Sequence, residues 1–331
     1  MHSISRSNCS LHADFQYHLF SVIYSLVFIV GLVCNLLALF ILTCKVQNTT
    51  QSYIYFINLC MVDTIFVCML PFRIHYHING NNWIFGDVAC RITGTLYYSN
   101  IYLSIGFFTC ICADRYIAVV HPLTYIRIKV SHYSIVITVL VWALAVALVV
   151  PLVLGGPLHN TDGNRTTCFE NFTVHDYKDR MAPFNICVLV FGFVIPFSII
   201  SICYPLIAKR ISQIQASIHK KKALRTIYLI LLISIICFLP YHVTHLLHFL
   251  MRQELFASCA IANSIYKLRR VTLALVSLNS CLNPAMYYFT SSTYSCQLLV
   301  QKLRARRSKK VYTIYDRDMA ALSVCTYRIK P

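Results

Sequence analysis

The sequence predicts an all-α membrane protein, a bundle of seven transmembrane helices followed by a short amphipathic helix, on three observations. Hydrophobic residues make up 58% of the chain and charged residues 12%, against about 45–50% and about 25% in soluble domains. Apolar stretches recur seven times, each near the roughly 20 residues that a helix needs to cross a hydrocarbon core. The formal charge of +18 is also unevenly placed. With these spans, 19 of the 29 basic residues share one side, among them Lys45, Arg115, Arg127, Lys129, Lys209, Arg210, Lys220, Lys221, Lys222 and Arg225. Seven of the 11 acids (Asp14, Asp87, Asp162, Glu170, Asp176, Asp179, Glu254) fall on the other. Basic residues in short loops stay cytoplasmic, so the excess reads as topology: N-terminus outside, C-terminus inside. Anionic inner-leaflet lipid, not nucleic acid, is its partner.

Residues 1–18 read as an extracellular N-terminus, 19–290 as the membrane bundle and 291–331 as a cytoplasmic membrane-surface helix and basic tail. Asn8-Cys9-Ser10 is an N-glycosylation acceptor if this end is outside. No removable signal peptide is expected, since no basic region and short apolar stretch precede a cleavage site. The first span, about 19–44, holds Asn35 alone in apolar surroundings; Asn48-Thr49-Thr50 follows in a loop expected to be cytoplasmic and unmodified. The second, about 53–77, carries Asp63 at mid-span, where an isolated carboxylate is costly, then Pro71 and Arg73. Trp83 follows in a loop, where an indole suits the membrane interface.

The third span, Leu96 to Leu123, begins six residues after Cys90 and closes on Asp114-Arg115-Tyr116 with Pro122 beyond. An acid and an arginine at a helix end are tolerable if they pair or face the interior. The fourth, about 133–154, holds Trp142 and Pro151; the polar loop from Gly155 to Arg180 carries Cys168 and acceptors at Asn164 and Asn171. The fifth, about 183–208, contains Pro196 and Tyr204, and the basic stretch Lys209 to Arg225 is spaced to continue as helix. The sixth, about 226–250, carries Cys237-Phe238-Leu239-Pro240-Tyr241-His242, and the seventh, about 265–289, carries Asn279 and Asn283-Pro284-Ala285-Met286-Tyr287. Ser292 to Leu303 could lie on the membrane as a helix, with Cys296 a palmitoylation site. Most of the 16 cysteines, such as Cys34, Cys60, Cys112 and Cys237, sit within spans as small packing residues. No C-x-x-C metal pair occurs.

Asn35, Asp63, Asp114-Arg115-Tyr116, Trp142, Pro196 with Tyr204, Cys237 to Pro240 and Asn283 to Tyr287 stand in order along the chain. Together they resemble the landmarks of rhodopsin-like (class A) G-protein-coupled receptors over about residues 19–300. Leu70-Pro71-Phe72-Arg73, Trp83 to Asp87, Asn100-Ile101-Tyr102, Phe108 to Ile111, Cys168 to Phe172 and Gly192 to Pro196 are similar to the purinergic-receptor-like branch, which includes lysophosphatidic acid receptors. Nucleotide receptors of that branch usually pair His-x-x-Arg/Lys in the sixth helix with an Arg in the seventh. Here the first reads His242-Val243-Thr244-His245 and Leu273 stands at the second, while Thr272-Leu273-Ala274-Leu275 resembles the lysophosphatidic acid subgroup.

The resemblance implies disulfides Cys90–Cys168 and Cys9–Cys259, and an allosteric sodium pocket of Asp63, Asn100, Ser104, Asn279 and Asn283. A hydrogen-bond network with water or a protonated Asp63 is the alternative there. Asp114, Arg115, Tyr116, Tyr204 and Tyr287 are expected to couple to a heterotrimeric G protein, with arrestin a second partner. Many relatives hold an acid at the base of the sixth helix; here His219-Lys220-Lys221-Lys222 stands there instead.

Arg73, Lys178, Arg180, Arg252, Lys267, Arg269 and Arg270 gather near outer helix ends, with His75, His242, His245 and His248 nearby. The planar fork of arginine suits phosphate, so an anionic headgroup is expected there, although any one of these cations alone also fits a solvated or lipid-facing side chain. Below them Tyr98, Tyr102, Phe184 and Tyr241 suit an acyl chain. The expected function is a plasma-membrane receptor for an anionic agonist, a lysophospholipid such as lysophosphatidic acid, needing no cofactor beyond the sodium. A nucleotide or other lipid-mediator receptor is the alternative, and a transporter or channel the competing class. Against the latter stands the lack of an evident inverted repeat. Asp63 is the lone acid at mid-span, and the spans hold no paired catalytic constellation, so an enzyme is not expected.

Overall fold

The computed structural model describes residues 11, 13–45, 51–127, 130–154, 159–162, 165–169, 181–213, 218–253, 255–256 and 258–290. In order these form α1 (Phe15–Lys45), α2 (Gln51–Ile78), α3 (Gly86–Val120), α4 (Pro122–Arg127), α5 (Val130–Leu154), β1 (His159–Asp162), β2 (Arg165–Cys168), α6 (Ala182–Ser212), α7 over 218–252, α8 (Cys259–Ser277) and α9 (Asn279–Thr290). Six rods, α1, α2, α3, α5, α6 and α7, hold stretches long and apolar enough to cross a membrane. The seventh span is α8 and α9 together, interrupted at Leu278.

The outward surface is what a bilayer requires. α1 exposes Val22, Leu26, Ile29, Val33 and Leu37, and α5 exposes Val136, Val139, Leu140 and Val150. Contiguous aliphatic faces of this kind are rare on water-soluble monomers and cost nothing in hydrocarbon. Polar groups point inward instead: Asn35, Asp63, Asn100, Ser104, Asn279, Ser280 and Asn283 are all buried.

Prolines shape the rods. Proline has no N–H and its ring pushes the carbonyl four residues earlier out of the ladder. Directly before Pro196, residues Val190–Val194 widen into a π-helical turn, closed by the Ile195 amide on the Val190 carbonyl. Ser234–Phe238 does the same before Pro240, with the Leu239 amide on Ser234. In α9, Pro284 leaves the Ser280 carbonyl without its helical donor, and Asn35 supplies one from α1 at 2.7 Å.

Several boundaries move from the expected ones. α3 begins at Gly86 rather than Leu96, so Cys90 lies inside the helix. The extra turns carry the Arg91–Asp87 ion pair at 2.6 Å, and these two charges interrupt the apolar run there. α7 starts at Ile218, extending the sixth span through its basic approach. The loop after α5 contains an antiparallel hairpin, β1 with β2, pairing His159 with Cys168 and Asp162 with Arg165. Trp83 does not face lipid: it is buried, donates its indole N–H to the Gly86 carbonyl at 2.7 Å, and packs edge-on against Tyr76 and Phe85. The expected membrane-surface helix with Cys296, and the acceptor residues Asn8, Asn164 and Asn171, lie outside the described residues.

Candidate functional site

The Cys90–Cys168 disulfide is present and draws β2 onto α3, with Cα atoms 5.7 Å apart. Two further bonds fix the hairpin: the Trp83 amide donates to the Thr166 carbonyl at 2.7 Å, and the Thr166 amide to Asn82 Oδ1 at 3.0 Å. Beneath it lies a cavity of about 400 Å³. Arg73 enters from α2, Arg252 from α7, and Arg269 and Arg270 from α8, with His77, His245 and His248 beside them. No carboxylate is among the described residues lining it.

Arg73 is 8% exposed and its Nε has no hydrogen-bond partner. Aromatic rings surround the guanidinium: it lies 5.9, 6.0 and 5.8 Å from the centroids of Tyr76, Trp83 and Tyr97. Such rings attract a cation but leave its donors free. Arg269 donates to His245 Nδ1 at 2.7 Å; since arginine only donates, His245 accepts there and carries its proton on Nε2. Arg270 lies over Tyr266, 4.7 Å from its centroid, and donates to its hydroxyl at 2.6 Å. Phe20, Tyr24, Tyr97, Tyr98, Tyr102, Phe169, Met181 and Phe184 complete the walls.

Below the cavity runs a polar axis. The Tyr102 and Tyr241 hydroxyls are 3.2 Å apart, and His242 stacks on Phe193 with centroids 4.8 Å apart. Deeper, Asp63 accepts from Asn100 at 2.8 Å and Ser280 at 2.7 Å on Oδ1, and from Asn283 at 2.7 Å on Oδ2. Asn279 Oδ1 accepts from Ser280 at 3.1 Å. Asn100 Oδ1 and Asn283 Oδ1, on two of these donors, are buried without partners, as is Ser104 Oγ one turn along α3 from Asn100. At the far end of α3, Asp114 accepts from Arg115 at 2.8 Å. Tyr204 is buried on α6 beside Cys112 of α3, Tyr287 is buried on α9 against Phe56, and the Tyr116 hydroxyl is 3.3 Å from His121 Nε2.

Residues 34–287 match the family described as 7 transmembrane receptor (rhodopsin family). The chain belongs to the rhodopsin family of seven-transmembrane receptors. Among its relatives, lysophosphatidic acid receptor 6 of Gallus gallus is 36% identical over 296 residues, covering 87% of this chain and 95% of the relative. The protein of that name from Homo sapiens is 33% identical over 315 residues, covering 93% and 91%. G-protein coupled receptor 183 of Rattus norvegicus is 36% identical over 306 residues, covering 88% and 85%. The chain is thus a multi-pass membrane receptor of the G-protein-coupled kind, not an enzyme.

Within this receptor, the residues expected at the ligand site divide. Arg73, Tyr98, Tyr102, His245, Arg252 and Arg269 line the cavity. Tyr241 and His242 are wholly buried beneath it. Lys267 is exposed and lines no part of it; two helical positions from Arg269 is about 200° of rotation. Lys178 and Arg180 lie outside the described residues, as does Cys9, while Cys259 at the head of α8 is disulfide-bonded. Of the residues expected around a sodium ion, Asn100 and Asn283 bond Asp63 directly, as does Ser280, and Asn279 joins them through Ser280 and Asn283, while Ser104 is buried one turn along α3 from Asn100. Sequence reasoning missed Phe20, Tyr24, His77, Tyr97, Phe169 and Tyr266. Aromatic residues at the ends of apolar spans carry no mark that separates a cavity wall from core.

Proposed function

We propose that this receptor detects a lysophospholipid, lysophosphatidic acid being the first candidate, and passes its presence to a heterotrimeric G protein. One observation carries the reading: four arginines enter an aromatic cavity with no carboxylate among its described lining residues, and the Nε of buried Arg73 has no partner. A buried unpaired charge is costly, and a phosphate supplies the missing acceptors in the geometry a guanidinium matches. The names of the relatives support the same agonist class. Leu273, lining the cavity where branch members that bind nucleotides are expected to hold an Arg, weighs against a nucleotide.

In this reading the receptor sits in the plasma membrane with residues 1–18 outside, 19–290 as the receptor domain and 291–331 inside. Agonist selects an active arrangement of the bundle in which Arg115 leaves Asp114 and, with Tyr116, Tyr204 and Tyr287, meets the G protein; arrestin engages the same face. Asp63, Ser104, Asn100, Asn279 and Asn283 would hold a sodium ion. The hard oxygen donors left over around the carboxylate fit that ion, which would supply the positive charge a buried carboxylate needs. Asn8, Asn164 and Asn171 carry glycans and Cys296 a palmitoyl chain.

The test is a panel of lysophosphatidic acid, lysophosphatidylserine, sphingosine phosphate and nucleotides applied to expressing cells, with G-protein dissociation as readout. A lysophospholipid response that Arg115→Ala abolishes at normal surface expression is expected. Response to nucleotides alone would overturn the lipid assignment.

A further inference from the structure

The hairpin reaches the cavity through Phe169, and that residue is seated in an unusual way. It follows Cys168, which is buried and bonded to Cys90. Its φ is 61°, a left-handed conformation that is uncommon for non-glycine residues and an outlier for a bulky one. Strained backbone persists only where its surroundings over-determine it, and it clusters at binding sites. Here the surroundings are visible. The ring occupies a notch that Gly94 leaves on α3: a Cβ at position 94 would stand 2.1 Å from ring atoms Cδ2 and Cε2. Tyr98, one turn further along the same face, tilts against the ring with centroids 5.8 Å apart.

Filling the notch alone would not need this arrangement, because any ordinary side chain on α3 would do it. A glycine on the helix and a strained aromatic on the hairpin instead place the ring at the cavity wall. The corner it occupies is apolar, shared with Met181 and Phe184. The arginines enter from α2, α7 and α8, so the hairpin contributes no charge to this corner through its described residues.

We infer that Phe169 is the steric stop for the apolar part of the agonist, setting the acyl-chain length that the cavity accepts. This role presupposes the lysophospholipid agonist proposed above. Truncating the ring joins its volume to the apolar corner, and each further methylene then buried raises affinity on the order of fourfold. A methyl group at position 94 acts in the opposite sense by displacing the ring toward the cavity.

The experiment compares the parent receptor with Phe169→Ala, Phe169→Leu and Gly94→Ala against saturated lysophosphatidic acids of graded chain length. G-protein dissociation is the readout, with surface expression measured alongside. Phe169→Ala and Phe169→Leu are expected to move the preferred chain to greater length, and Gly94→Ala to move it to shorter length. A parent that responds while the variants keep its ranking, with potency falling uniformly, overturns the stop and leaves the lysophospholipid assignment standing. A parent silent to the whole series overturns both. If Phe169→Ala fails to reach the surface, Phe169→Leu and Gly94→Ala decide the matter, and an unchanged ranking in them overturns the role.

Discussion

The Asn35 side-chain amide donates to the Ser280 carbonyl at 2.7 Å, filling the acceptor that Pro284 cannot fill. A second bond from the same nitrogen, to Gly31 at 2.9 Å, holds the amide in place. The first and last spans are thus joined by a polar contact that exists because of a proline four residues further on. Asn35→Ala strands a buried carbonyl, at a cost of about 1–3 kcal/mol. In Pro284→Ala the helix regains its own donor, so removing Asn35 costs less in that background. A double-mutant cycle on thermal unfolding in detergent should show this non-additivity; strictly additive shifts would refute it.

Arg73 separates charge from shape. Arg73→Ala at normal surface expression is expected to weaken agonist potency about 10- to 100-fold, the range of one charge-assisted hydrogen bond of about 1.5–3 kcal/mol. Arg73→Lys keeps the charge but loses the planar fork, and should recover only part of the loss. Concentration–response curves for the two variants measure both effects, and full potency in Arg73→Ala would remove the phosphate contact.

Asp63 tests the ion. If sodium binds beside the carboxylate, agonist affinity falls as sodium replaces choline at constant ionic strength, by about tenfold, within the usual range for coupling between two sites. Asp63→Asn abolishes that dependence. An affinity indifferent to sodium in the parent receptor leaves Asp63 as the centre of the Asn100, Ser280 and Asn283 hydrogen-bond network alone.

Gly192 lies in the π-helical turn of α6, where a Cβ would stand 2.5 Å from the Tyr102 ring. Gly192→Ala therefore overpacks the junction of α3 and α6, at about 1–3 kcal/mol. A lowered melting temperature is expected, recovered in part by Tyr102→Leu. No change in melting temperature would mean the ring is free to move aside.

Much of this architecture is legible in the sequence because lipid imposes a one-dimensional code: long apolar runs, and few polar residues inside them. Asp63, Asn100, Ser104, Asn279 and Asn283 stand out against that background, and in the fold Asn100 and Asn283 bond Asp63. Ser280 escapes notice because a serine in a helix usually bonds its own backbone, and only the fold brings its hydroxyl to Asp63. The β hairpin is hidden by its polar strands, which show no apolar alternation. Lys267 misleads because charge near a helix end says nothing about which way the helix is turned. The π-helical turns leave no periodic trace, although Pro196 and Pro240 mark where they must come.

Those wide turns set the bearing of everything before them. A π-helical turn carries one residue more than its α counterpart, and a single residue is worth about 100° around a helix. Deleting any one position within 190–194 would remove that surplus and turn Phe184 and Asn185 by about a quarter-turn off the cavity they line. The receptor's outer half is thereby clocked to its inner half by a surplus amino acid, a setting that a substitution scan would leave untouched and a one-residue deletion would reset.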